Sequence, residues 1–338
     1  MNIKKLTFHQ LASIWLLSMI ILVFLMIIVG GLTRLTGSGL SITEWELFKG
    51  ILPPLTNDGW ETYFNLYKKI PQFKLVNPLM TFEEFKIIFY WEYFHRLLGR
   101  IIGLMYLIPL IYFSIKGAFD KKTLRVLYFI FLLILLQGIL GWYMVESGLA
   151  NNVSVSHYRL SMHLFFAFII ISFLMWNYLN FKFNQKKKFF NFRNKLTKIL
   201  FVFILLQIII GAFVSGLDAG LIYQTWPKMN LSYFPDDINT INLNIIYLLS
   251  EQSFVQFLHR TVAYLIVFFT IIIGIKMFIE KQIKFINNYF IVFFVLSAQV
   301  LLGIYTLISG LNLYLASMHQ ITSIILVFTV LNLNHKLS

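Results

Sequence analysis

Eight uninterrupted apolar stretches dominate this sequence, and each has about the length of a membrane span. They lie near residues 11–33, 96–115, 126–146, 160–180, 198–217, 257–278, 289–309 and 313–333. A helix of ~20 residues, rising ~1.5 Å per residue, crosses the ~30 Å hydrocarbon core of a bilayer. With 59% hydrophobic and 12% charged residues, the chain also lacks the polar material to cover a soluble globule. The sequence therefore predicts an all-α integral membrane protein with eight transmembrane helices.

The distribution of charge predicts the orientation in the membrane. The segments on the side of the N-terminus hold 17 Lys/Arg and 2 Asp/Glu, against 11 and 12 in the rest of the chain. These segments are the N-terminal tail, 116–125, 182–198, 276–284 and the C-terminal end. By the positive-inside rule, both termini are cytoplasmic. The net charge of +14 is then explained by contact with anionic membrane lipid, and no nucleic-acid partner is expected.

The chain contains no cysteine. Disulfides, thiolate-ligated heme, iron–sulfur clusters and cysteine-based zinc sites are therefore excluded. Any metal chemistry must depend on histidine and carboxylate side chains.

An internal repeat divides the sequence into two halves. "IIVGGLTRLTGSGLSITEW" (27–45) aligns without gaps with "IIIGAFVSGLDAGLIYQTW" (208–226), and "QGILGWYMVESGL" (137–149) aligns with "QVLLGIYTLISGL" (299–311). Four spans per repeat give both halves the same orientation, as two tandem four-helix bundles related by a pseudo-twofold axis along the membrane normal. We predict a first half at 1–180 with a long outer loop at 34–94, a basic cytoplasmic linker at 181–198, and a second half at 199–338.

Four histidines recur at matching points of this repeat. His95 and His259 each precede an arginine, and His163 and His319 each end a Ser-Met-His triplet. Ionisable residues in spans are costly and usually face the bundle interior. A single such histidine could simply bond a carbonyl or a lipid headgroup, but four at one predicted depth indicate two bis-imidazole heme sites near the outer surface.

Glycines and arginines near the histidines fit the same interpretation. Six glycines could make room for the macrocycles, or could serve ordinary helix packing: Gly99, Gly103, Gly138, Gly141, Gly211 and Gly303. Arg96 and Arg260 could pair with heme propionates, or could anchor the ends of the spans.

Together, "GGLTRLTGSGLSITEW", "EYFHRLLGR", "SMH", "FLHR" and "SMHQ" resemble the heme A synthase family, in order and over nearly the whole chain. The resemblance implies an enzyme that oxidises the C8 methyl of heme O to the formyl of heme A, through a hydroxymethyl stage, for cytochrome oxidase. It implies that His95 and His163 belong to the heme O site and that His259 and His319 ligate a resident heme b. Glu92 corresponds to an acidic residue important in that family.

The resemblance also implies a bacterial inner-membrane location and a cysteine-free branch of the family. Heme O synthase and cytochrome oxidase assembly factors are candidate partners, and the oligomeric state and the electron donor stay open.

One departure from the repeat bears on mechanism. Glu92 stands three residues before His95, whereas Gln256 holds the equivalent position before His259. We hypothesise that the first half performs the chemistry, with Glu92 taking a proton or stabilising positive charge, and that the second half relays electrons. A solvated Glu92 at the helix mouth is the alternative. The rival functions are a di-heme cytochrome b type electron carrier and a solute transporter.

Overall fold

A computed structural model describes residues 6–46, 49–149, 153–189, 195–238 and 244–338. Over these ranges the backbone is helical and contains no β-strand. The helices are α1 (Phe8–Leu35), α2 (Asn57–Tyr67), α3 (Pro71–Leu75), α4 (Phe82–Ile115), α5 (Lys121–Leu149), α6 (His157–Lys182), α7 (Lys195–Gly216), α8 (Ile245–Leu248), α9 (Gln252–Ile279), α10 (Ile286–Ile308) and α11 (Leu313–Leu337).

Within the described ranges, eight helices are long and apolar enough to span a membrane. They are α1, α4, α5, α6, α7, α9, α10 and α11. This confirms the prediction of an all-α protein with eight membrane-spanning helices. Part of the predicted linker, residues 190–194, lies outside the described residues, as do residues 1–5 of the N-terminal tail.

The chain forms two compact units. One comprises Ser18–Ala167, and the other comprises the residues up to Leu17 together with Phe168–Ser338. In the first unit α4 packs against α5, and the Tyr106 hydroxyl donates to the Leu127 carbonyl at 2.9 Å. In the second unit α7 packs against α9, and α10 packs against α11. The histidines of each predicted half therefore lie within one unit.

Helix α4 begins at Phe82, well before the predicted span at 96–115. A capping box defines this start of the helix. The Thr81 side chain accepts from the Glu84 backbone N–H, and the Glu84 carboxylate accepts from the Thr81 backbone N–H. Aromatic side chains on the extra turns bury against α2, which makes the extension favourable. These are Phe85, Phe89 and Tyr93 against Trp60, Phe64 and Tyr67.

A polar network ties the segment after α6 to the last turns of α11. The Lys187 carbonyl accepts from Trp176 Nε1 and from Asn180 Nδ2, each at 2.9 Å. Asn180 Oδ1 in turn lies 3.1 Å from His335 Nε2, and Lys187 Nζ donates to the His335 carbonyl at 2.5 Å. His335 is buried at this point, with 2% of its surface exposed.

Candidate heme sites

Each of the four predicted histidines packs against a glycine on a neighbouring helix. A Cβ atom built on each glycine would lie within about 3 Å of the ring. The separations are 3.0 Å from Gly30 to His95 Nε2, 3.1 Å from Gly141 to His163 Cε1, 3.1 Å from Gly211 to His259 Cε1, and 2.9 Å from Gly303 to His319 Cε1. Real Cβ contacts are rarely this short, so a larger residue at any of these positions would force the imidazole to shift.

The structure brings the histidines together as two pairs. His95 and His163 lie close enough that a charge on one acts on the other, and so do His259 and His319. All four are half-buried. His163, His259 and His319 lie about two turns into their helices, whereas His95 lies about three and a half turns into α4, because α4 begins early.

A glutamine amide holds His259. Gln207 Nε2 donates to the His259 backbone carbonyl at 2.9 Å, which fixes the orientation of the amide, because a carbonyl only accepts. The same Nε2 lies 3.3 Å from His259 Nε2. The ring nitrogen must then accept, so His259 carries its lone pair on Nε2.

His319 shows the same tautomer through a different contact. Its Nδ1 lies 3.0 Å from the Gln299 carbonyl, which can only accept, so Nδ1 carries the hydrogen. Gln299 Nε2 lies 3.3 Å from the Nε2 of this ring. A histidine that donates from Nδ1 to a carbonyl has the orientation typical of a metal ligand. The Gln299 amide must turn away from Nε2 before that lone pair can bind a metal.

The first half repeats part of this pattern. Gln137 Nε2 donates to the His163 carbonyl at 2.9 Å. Sequence reasoning matched Gln137 with Gln299 in the repeat but gave them no role, and it missed Gln207. Their spacing could have indicated a role, since each of the three glutamines stands four residues before a glycine that contacts one of the histidines.

The residues present fit a heme ligated by two histidines in each half. Among the described residues, the buried Nδ1 atoms of His163 and His259 have no hydrogen-bond partner, so both rings have unused polar capacity. A Cβ on Gly103 or Gly138 would meet no described atom within 4 Å, so these two glycines are not needed for a close contact with a histidine. The other predicted glycines lie against side chains. A Cβ on Gly99 would lie 3.2 Å from the Met26 methyl, and Gly141, Gly211 and Gly303 lie against histidines.

Glu92 is buried, and its hydrogen bonds fasten the segment after α1 to helix α4. Only 2% of its surface is exposed, so it is not a solvated residue at the helix mouth. Its Oε2 accepts from Ser41 Oγ and from the Ile42 backbone N–H, both at 2.8 Å. Its Oε1 accepts from Arg96 Nε at 3.0 Å and from Arg96 Nη2 at 2.5 Å. Both carboxylate oxygens are therefore fully engaged by donors.

Arg96 also binds two backbone carbonyls. Its Nη2 donates to Ile42 at 2.8 Å and its Nη1 to Glu44 at 3.1 Å. A guanidinium has five N–H groups, so one remains for another acceptor.

The second half anchors the equivalent residue without a carboxylate. Tyr223 is the repeat counterpart of Ile42, and its carbonyl accepts from Gln256 Nε2 and from Arg260 Nη2, each at 3.0 Å. Arg260 Nη1 donates to the Lys228 carbonyl at 3.3 Å, and its buried Nε has no partner in the part of the chain that the structure describes. Arg260 thus keeps both its charge and spare donors, whereas the charge of Arg96 is neutralised by Glu92.

A small cavity lies beside the Glu92–Arg96 pair. It has a volume of about 20 Å³, enough for one water molecule, and its lining includes Glu46, Tyr63 and Arg96. The Tyr63 hydroxyl donates to Glu46 Oε2 at 2.7 Å and so docks α2 at this point. Burial, with the Glu46 carboxylate beside it, raises the pKa of Tyr63 to about 12.

Comparisons with known proteins match nearly the whole chain. Residues 13–331 match the family model described as cytochrome oxidase assembly protein, COX15-CtaA. A protein of Pelagibacter ubique named heme A synthase is 49% identical over 322 residues, which cover 93% of this chain and 92% of that protein. Heme A synthases of Flavobacterium psychrophilum and Rickettsia prowazekii are 41% and 39% identical, and each alignment covers 96% of this chain and 97% of the relative.

Proposed function

The chain belongs to the COX15-CtaA family of cytochrome oxidase assembly proteins, and from this membership we propose that it is a heme A synthase. It is a multi-pass membrane oxidoreductase that converts heme O to heme A by oxidising the C8 methyl to a formyl group, through a hydroxymethyl stage. Within the structure, the observation that carries this proposal is the repeated contact between a histidine and a glycine, which occurs twice in each half.

The two pairs take different hemes. His95 and His163 hold the substrate heme O, and His259 and His319 hold a resident heme b. A bound heme b supplies a one-electron redox centre. Gln207 Nε2 donates to the His259 carbonyl and His319 Nδ1 donates to the Gln299 carbonyl, and these two bonds support a permanently ligated site in the second half.

Glu92 supports chemistry in the first half as a fixed negative charge. Since four donors already occupy its oxygens, the carboxylate is better suited to stabilising positive charge that develops on the substrate than to accepting a proton. Gln256 at the equivalent point carries no charge, so only the first half offers this stabilisation.

The two arginines contribute unequally to heme binding. Arg260 has spare N–H groups and an unneutralised charge, and it pairs with a propionate of the second-half heme. Arg96 mainly positions Glu92 and offers its one remaining N–H to a propionate of the first-half heme.

The membrane orientation follows from charge. With the basic segments on the cytoplasmic side of a bacterial inner membrane, both termini are cytoplasmic and the heme sites lie toward the outer face. Heme O enters, and heme A leaves, through partners such as heme O synthase and cytochrome oxidase assembly factors.

Heme extraction tests the proposal. The detergent-solubilised protein is purified, its reduced spectrum is recorded, and the extracted heme is separated by chromatography. Heme b together with heme O, heme A or a hydroxylated form supports a heme A synthase. Two hemes b per chain would instead indicate an electron carrier. The absence of a Soret band would contradict both heme sites.

A further inference from the structure

One of the four histidines lacks the glutamine that accompanies the other three. Gln137, Gln207 and Gln299 each stand four residues before the glycine that contacts a histidine. The residue four positions before Gly30 is Met26, the repeat counterpart of Gln207. His95 is therefore the exception within an otherwise repeated arrangement.

The surroundings of His95 differ accordingly. In the described part of the chain, no side chain donates a hydrogen bond to its ring or to its carbonyl, whereas Gln207 donates to the carbonyl of His259. The Met26 methyl instead packs against Gly99, at a point where the second half has Ala263.

The orientation of the His95 ring is also distinct. Its Nε2 and Cδ2 edge faces Gly30, at 3.0 and 3.3 Å from the Cβ position. The other three rings turn Cε1 toward their glycines. Each of the other three histidines has a hydrogen bond to a glutamine through its carbonyl or its Nδ1. Gln137 and Gln207 donate to the carbonyls of His163 and His259, and the Gln299 carbonyl accepts from His319 Nδ1. A ligand histidine depends on such bonds to hold its orientation, and among the described residues His95 has none.

We propose that Met26 leaves His95 as the exchangeable ligand of the first-half heme, while the glutamines hold the other three histidines in place. This inference rests on the proposed function, because a site that turns over must release its heme as product, whereas a cofactor site must retain it. Met26 and Gln207 are thus positioning residues: Met26 shortens the residence time of heme in the first half, and Gln207 lengthens it in the second.

A reciprocal exchange tests this proposal. Met26→Gln, Gln207→Met and the wild-type protein are purified with their hemes, and transfer of heme to excess apomyoglobin is followed, with the released heme identified by chromatography. One hydrogen bond corresponds to about three- to tenfold in rate. Met26→Gln should slow the release of heme O and heme A by that factor and leave heme b unchanged. Gln207→Met should accelerate the release of heme b.

Met26→Leu is the matched control, since it keeps an apolar side chain of similar size and adds no amide. It should release heme at the wild-type rate. Equal slowing by Met26→Leu and Met26→Gln, or unchanged release from both Met26→Gln and Gln207→Met, would overturn the inference and leave the proposed function standing. Protein that carries no heme at all would overturn both.

Discussion

Replacing Gly141 by alanine should displace the His163 imidazole and weaken heme binding in the first half. The added Cβ would lie 3.1 Å from His163 Cε1, and carbon atoms pack best at about 3.5–4.0 Å. The ring must therefore shift by roughly 0.4–0.9 Å. Gln137 holds the His163 backbone carbonyl, so the backbone cannot easily follow this movement.

Overpacking of this kind costs about 1–3 kcal/mol. If the whole cost falls on the ligated state, heme affinity in the first half drops about 5- to 150-fold. Helix propensity acts in the opposite direction, because alanine stabilises a helix interior by roughly 0.5–1 kcal/mol relative to glycine. The variant should therefore lose heme O and heme A, while its thermal stability falls by less than the steric cost alone would give.

Gly138→Ala supplies the control on the same helix, three residues away. Its Cβ would meet nothing within 4 Å, so it gains helix propensity without touching a histidine. The assay is the quantity of each heme extracted per chain, alongside the melting temperature in detergent. Equal heme loss in both variants, or full retention in Gly141→Ala, would refute the steric reasoning.

Three further perturbations are predicted. Glu92→Gln should lower heme A formation by about a hundredfold while first-half heme stays bound, and normal heme A in extracts would contradict the fixed-charge role. Burial and Glu46 raise the pKa of Tyr63 from 10.0 to about 12. The neutral Tyr63 side chain therefore stabilises the fold fully below pH 10, and this stabilisation is lost as the pH rises toward 12. The melting temperature of Tyr63→Phe should not show that fall between pH 10 and 12. Burial raises the pKa of Asp237, but hydrogen bonds from Ser253 and Tyr223 lower it more, so its pKa lies below 3.8. The wild type should therefore lose stability as the pH falls through the pKa of the folded protein, and Asp237→Asn should not.

Much of the fold was predictable from the sequence because membrane helices are specified locally. Each span is a continuous apolar run. The repeat identifies His259 as the counterpart of His95, and His319 as the counterpart of His163, without any structural information. The extension of α4 back to Phe82 was not predicted, because Glu92, His95 and Arg96 lie at the start of the apolar run. The capping signature at Thr81–Glu84 nevertheless marks where the helix begins.

The environment of Glu92 could not be predicted in the same way. Its spacing from His95 was visible, but its partners Ser41 and Ile42 lie about fifty residues earlier, and one of them contributes only a backbone N–H. A backbone donor leaves no trace in residue identity. For the same reason Gln207 was missed, since its principal acceptor is the carbonyl of His259.

The contact between Lys187 and the His335 carbonyl constrains the order in which the protein matures. These residues are 148 positions apart, so Lys187 leaves the ribosome long before its acceptor has been synthesised. Until α11 is inserted, Trp176 and Asn180 can bind Lys187 locally, but the amine has no such carbonyl to reach. Closure of this network is therefore a late event in biogenesis, and pulse-chase proteolysis after residue 187 would report when the last helix has joined the bundle.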